Sequence, residues 1–149
     1  MADINTAEFM RAFDEWTDKA SKAYEDTLRA TALDMFSSII KRTPVDKGRL
    51  RGNWQVGINT APTGELEVDD KRGQRTITKA RRTLESAKHV NDIYFVNNAP
   101  YAEVAEFGLW NDGPKTTGGY SKQAPSGMVR VTLTEFEQKL RKAARDNQL

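Results

Sequence analysis

The chain has 149 residues, 38% of them hydrophobic and 30% charged, with 23 Lys and Arg against 21 Asp and Glu and a net charge of +2. That suits one polar globular domain with a core of its own, argues against a bulk polyanion binder, and leaves no apolar run near the ~20 residues of a membrane span. With no cysteine and a single histidine, His89, disulfides and thiol chemistry are excluded, a zinc site would rest mostly on carboxylates, and a Ser-His-Asp or Cys-His hydrolase finds no positioned partner. Residues 1–6 lack the basic and apolar regions of a signal peptide, so synthesis in a cytoplasm is natural.

One long helix is expected from Thr6 to Arg42. Thr6 or Asn5 supplies the N-cap, Glu8 complements the helix dipole in the first turn, and Pro44 ends the run by excluding Thr43 from the helical region. Phe9, Phe13, Trp16, Ala20, Ala23, Thr27 and Ala30 recur at alternating steps of four and three, a heptad-like seam with a bulky aromatic end and a small-residue middle. Leu33, Met35, Phe36, Ile39 and Ile40 spread over a wider apolar arc and should enter the core. About 37 helical residues at ~1.5 Å each span roughly 55 Å. A compact domain of this size is only about 40 Å across. The N-terminal half should therefore project, and Phe9, Phe13 and Trp16 need a cover, either a neighbouring subunit or, if the helix kinks near Ala20–Ala23, its own domain.

Pro44 and Asp46-Lys47-Gly48 carry turn chemistry, with Asp46 able to cap a helical turn at Arg49–Asn53. A strand should follow from Trp54, whose Trp54, Val56 and Ile58 alternate with Gln55, Gly57 and Asn59. Residues 61–64 read as a loop, Glu65–Val68 as a weak return strand, Asp69–Arg75 as a charged loop, and Thr76–Lys88 as a helix carried by Ile77, Ala80 and Leu84. Ile93-Tyr94-Phe95-Val96 has the composition of a strand covered on both faces. Asn97 and Asn98 stop it, Pro100 holds Ala99 extended, and a helical turn follows from Tyr101 through Val104, Ala105 and Phe107, with Glu103 and Glu106 off the stripe and Gly108 as its exit. Residues 109–123 lack periodicity and read as a mobile loop in which Trp110 and Tyr120 either tuck back on their own domain or meet a partner. A last helix is expected after Ser126, its N-cap, with an apolar face of Met128, Val131, Leu133, Phe136 and Leu140. The fold class is α/β (α+β): a small mixed or antiparallel sheet packed by helices in one domain.

Three ordered segments stand out after the long helix: residues 43–54 (Thr-Pro-Val-Asp-Lys-Gly-Arg-Leu-Arg-Gly-Asn-Trp), 96–108 (Val-Asn-Asn-Ala-Pro-Tyr-Ala-Glu-Val-Ala-Glu-Phe-Gly) and 124–130 (Ala-Pro-Ser-Gly-Met-Val-Arg). Together they resemble the tail-component family of long-tailed bacteriophages, the neck or tail-completion proteins. The family's first pattern falls on Pro44, Val45, Asp46, Gly48, Leu50 and Trp54, its second on Asn97, Pro100, Tyr101, Ala102, Glu106 and Gly108; the chain departs from it at Lys47 and Leu109. The resemblance implies a structural virion protein at the head–tail junction, with neither enzymatic activity nor cofactor. It also implies partners: other connector and tail proteins, and further copies of the chain in a ring, six first and twelve second, through whose lumen DNA can pass without sequence-specific binding. Phe9, Phe13, Trp16, Ala20, Ala23, Trp110 and Tyr120 are the candidate subunit contacts, while Trp54 and Tyr101 should hold core corners. A tail terminator is the rival within the class. A nucleic-acid-binding module using Arg49, Arg51, Arg75, Arg81 and Arg82 is the rival outside it.

Overall fold

A computed structural model describes residues 6–148; Asn5, the rival N-cap, lies outside them. Helix α1 runs without interruption over Thr6–Arg42. It contains neither Gly nor Pro, the usual causes of a break, and the kink near Ala20–Ala23 is not seen. Its C-terminal part enters the core through Met35, Phe36, Ile39 and Ile40. Thr27 and Thr31 are also buried, their hydroxyls donating to the Ala23 and Thr27 carbonyls. From Thr27 the buried face advances in steps of four, and Ala30, expected in the seam, is exposed.

Helix α2 (Arg49–Gly52) leads into strand β1 (Trp54–Ile58), which pairs antiparallel with β2 (Ile93–Asn97) in the register Trp54–Asn97 to Ile58–Ile93. The sheet has these two strands alone among the described residues, and only one of its faces is well covered: Phe95 stacks between Phe36 and Trp54, with ring centroids at 3.9 and 4.7 Å, while Tyr94 points to solvent. Residues 65–68 are not a strand. The buried Asn53 amide takes the partner's place, donating to the Leu66 carbonyl and accepting from the Leu66 N–H.

Helix α3 (Gln74–Ser86) starts two residues before its expected position. The buried Asp70 carboxylate accepts from the Gly73 and Thr76 N–H groups and the Thr76 hydroxyl, satisfying amides of the first turn. Helix α4 (Ala102–Phe107) ends at Gly108 in the left-handed region. The segment after it folds back on itself: β3 (Thr116–Thr117) and β4 (Tyr120–Ser121) form a hairpin across Gly118-Gly119, both at positive φ, and Trp110 donates its N–H to the Gly119 carbonyl. The expected single last helix is two, α5 (Val129–Leu133) and α6 (Phe136–Asp146). The chain turns at Thr134–Glu135, where Glu135 bonds back to Thr132 and pairs with Arg42 of α1. Helix α6 is tied to α1 again by Lys139 and Asp34 at 2.8 Å.

Candidate functional site

The three sequence segments meet in space, joined by side chains bonded to backbone. Asn97 donates to the Leu50 carbonyl and accepts from the Ala99 N–H, binding the second segment to the first. Gln123, just before the third segment, pairs with both backbone groups of Val45. Glu106 binds the second to the third: its carboxylate accepts the N–H groups of Met128, Val129 and Arg130 at 2.7–3.0 Å, plus Arg130 Nε. It therefore does the work expected of Ser126, which is exposed and makes no cap. Glu106 was expected off the apolar stripe, yet it is buried. Burial pushes its pKa upward, but the three amides and Arg130 outweigh that and hold it below its ordinary value. Asp70 is held down in the same way against its own burial, chiefly by Thr76 and Gly73.

Two glycines are fixed by close approach. Gly48 has φ +95, and a Cβ there would lie 2.6 Å from the Lys71 nitrogen. Gly108 has φ +67, and a Cβ there would lie 2.4 Å from the Tyr120 ring. Asp46 is exposed and does not cap α2, whose N-cap is Gly48. Trp54 is buried, its indole N–H donating to the Thr43 hydroxyl at 2.8 Å, which ties the start of the sheet to the end of α1. Ala99 is buried while Pro100 is exposed, Ala102 packs on the core, and half-buried Tyr101 packs beside it, burial raising its phenol pKa.

Along this junction runs a groove of about 730 Å³. It is lined by residues 44–50, by the aromatic Tyr101 and Trp110, and by Lys115 and Lys122 of the hairpin. Trp110 and Tyr120 thus tuck back on their own chain; the Tyr120 hydroxyl accepts from Arg130, whose guanidinium also lies over the exposed Phe107 ring. Among the described residues there is no cluster of three metal-ligating side chains. His89 is exposed and does not line this groove. The junction offers apolar surface and hydrogen-bonding groups.

Of the five arginines of the nucleic-acid reading, Arg49 and Arg51 are spent internally. Arg51 donates to the Lys41, Thr43 and Lys71 carbonyls, and Arg49 pairs with Asp69 at 2.7 Å. Arg75, Arg81 and Arg82 on α3 are exposed and make no ion pair among the described residues. The other exposed feature is α1 itself. Every residue from Thr6 to Lys19 is exposed, with Phe9, Phe13 and Trp16 at 55%, 49% and 65%. Their rings follow one another at 6.4 and 6.2 Å, forming a ridge. Ala20 and Ala23 are half-buried where the ridge meets the body. No described helix is long and apolar enough to cross a membrane.

Among known proteins, a family model described as "Bacteriophage HK97-gp10, putative tail-component" matches residues 7–108, about two thirds of the chain. The match ends at Gly108, before the hairpin and the third segment, which Glu106 ties to the matched part. No curated protein and no solved structure matches the chain.

Proposed function

Because the chain belongs to the HK97 gp10-like family of bacteriophage tail components, we propose that it is a subunit of the head–tail connector, a neck or tail-completion protein that joins tail to head. Its role is structural rather than enzymatic: it is built into the virion after synthesis in the host cytoplasm. The observation that carries the reading beyond membership is the aromatic ridge on α1. Three large rings held in water on a helix that outruns its domain are costly unless a neighbour covers them. A ring of copies stacked between other connector and tail proteins supplies such neighbours, six copies in keeping with tail symmetry and twelve as the alternative. The junction groove is a second surface for a connector or tail partner.

For DNA threading the lumen, α3 offers a basic surface. Arg75, Lys79 and Arg82 lie at helical spacing on the exposed side of α3. Contacts of that kind are to phosphates, without sequence preference, and weaken steeply with salt. The test of the main reading is a phage lacking this gene. It should make filled heads and tails that fail to join, and be rescued by the chain in trans, which mass spectrometry then finds in the particles. Joined, infectious particles without the chain would overturn the reading.

A further inference from the structure

Strand β2 has an edge to which nothing is paired. Asn59 donates its N–H to the Asp92 carbonyl, one step beyond the Ile58–Ile93 end of the ladder. Bonded and open pairs alternate along antiparallel strands, so Gly57–Tyr94 and Gln55–Val96 are the bonded ones. The N–H and C=O groups of Ile93 and Phe95 therefore turn away from β1. Strand β2 pairs with no other strand, and among the described residues nothing bonds those groups. Nor is the edge guarded. Ile93-Tyr94-Phe95-Val96 holds neither a charge nor a proline, the usual means of keeping another strand off. Two strands alone are also a marginal sheet.

The edge borders an apolar groove. Ile93 lines it, together with one side of α1, Leu133 at the end of α5 and Phe136 at the start of α6; its volume is about 790 Å³, within the range of ligand-binding clefts. Tyr24, Leu28, Leu133 and Phe136 are all exposed. The last helix was expected to bury Leu133 and Phe136; the chain turns between α5 and α6, and both line this groove instead. The charged residues of the lining, Glu25 and Arg29, lie 3.6 Å apart and answer one another. The groove is thus neutral as well as largely apolar.

Unpaired backbone groups at every second residue are matched by another strand, not by a helix. A second copy has no suitable strand among its described residues. Its β1 lies against α3, and its β3 and β4 pair with each other. The stretch 65–68, expected to be a strand, carries Glu65 and Glu67, charges that an apolar groove would have to desolvate. Pairing of β2 with a second β2 is two-fold and closes at a dimer, not at a ring.

We propose that an extended, uncharged segment of another protein adds to β2 as a third strand, bonding the backbone of Ile93 and Phe95 and laying apolar side chains in the groove against Leu28, Leu133 and Phe136. The segment belongs to a neighbouring connector or tail protein; that source rests on the connector reading, while the strand chemistry does not. Backbone bonds supply what the small apolar area lacks. They fix register and direction, and alternate side chains of the segment meet the groove.

Residue-resolved hydrogen exchange tests this with the full chain, free and in purified particles. In the free chain the Ile93 and Phe95 amides are expected to exchange fast, whereas Tyr94 and Val96, bonded to β1, are protected. In particles Ile93 and Phe95 should slow at least about tenfold. p-Benzoylphenylalanine in place of Leu28 is expected to cross-link, in particles, to an uncharged stretch of a different protein. The groove variant Leu133→Glu/Phe136→Glu changes exposed residues, and circular dichroism checks that it folds; it is expected to lose that cross-link. Equal exchange of Ile93 and Phe95 in the two states, or a cross-link to a second copy alone, overturns the proposal. If the chain is nevertheless in the particles, the connector reading stands. A chain absent from particles removes that reading, and the same exchange measurement on native complexes from infected cells then decides the proposal.

Discussion

The two halves of α1 share one helix and one continuous apolar face, yet they meet opposite surroundings. From Thr27 to Arg42 that face is buried under α3, α5 and α6, even where it presents threonine hydroxyls. From Thr6 to Lys19 the same face carries larger and more apolar side chains, and all of them are in water. Length explains part of the difference. Helix α6 has 11 residues, about 16 Å, and cannot cover a helix of ~55 Å. The comparison teaches that spacing fixes which face of a helix is apolar, while the rest of the chain decides how much of it the molecule covers itself. On the proposed connector reading, the uncovered part is what assembly covers.

The comparison breaks most visibly at the buried end. Trp54→Ala removes the indole that stacks on Phe95 and bonds Thr43, and a loss of about 3–5 kcal/mol is expected in urea unfolding. A shift near zero would mean that the junction does not hold α1 in place. Glu106→Ala leaves three amides of α5 without their acceptor, and about 3 kcal/mol should be lost, with Glu106→Gln losing less. The same carboxylate, with Asp70, sets the acid limb of stability. Both are held below their unfolded values, so their stabilisation is complete above about pH 4.5 and disappears as the pH falls through the folded values. Urea midpoints from pH 7 to pH 2.5 should fall steeply in wild type and less so in Glu106→Ala; parallel curves would count against this role of Glu106.

At the exposed end stability and assembly separate. Phe13→Asp/Trp16→Asp should move the unfolding free energy by less than about 0.5 kcal/mol while particle yield collapses. Normal yield from this variant would place the ridge outside the virion contacts. His89→Ala, at an exposed position off the junction groove, should change neither melting nor yield.

Much of the fold was legible because its signals are local. Pro44 ends α1, the alternation from Trp54 gives β1, and the Asn-Asn-Ala-Pro corner separates β2 from α4. The missed features are carried by side chains acting across the chain. Glu106 caps a helix that starts more than twenty residues later, Asn53 replaces a strand at Leu66, and Gln123 does the same at Val45. Nothing in local spacing marks a carboxylate or amide for such work, and a burial estimate from helix periodicity places Glu106 in solvent. The hairpin after Gly108 did have a signal, since two glycines between Thr117 and Tyr120 are a tight-turn pattern. In the junction, the positions carrying the resemblance were visible in sequence, but not the side-chain bonds that bring them together.

The most direct measurement is hydrogen exchange along α1, in the free chain and in purified particles. An arm whose residues are all exposed is a marginal helix and opens readily. Amides between Thr6 and Lys19 should therefore exchange fast in the free chain and at least about tenfold more slowly in particles, whereas those from Met35 to Ile40 stay protected in both. Equal exchange of the arm in the two states would contradict its role as a surface completed by assembly.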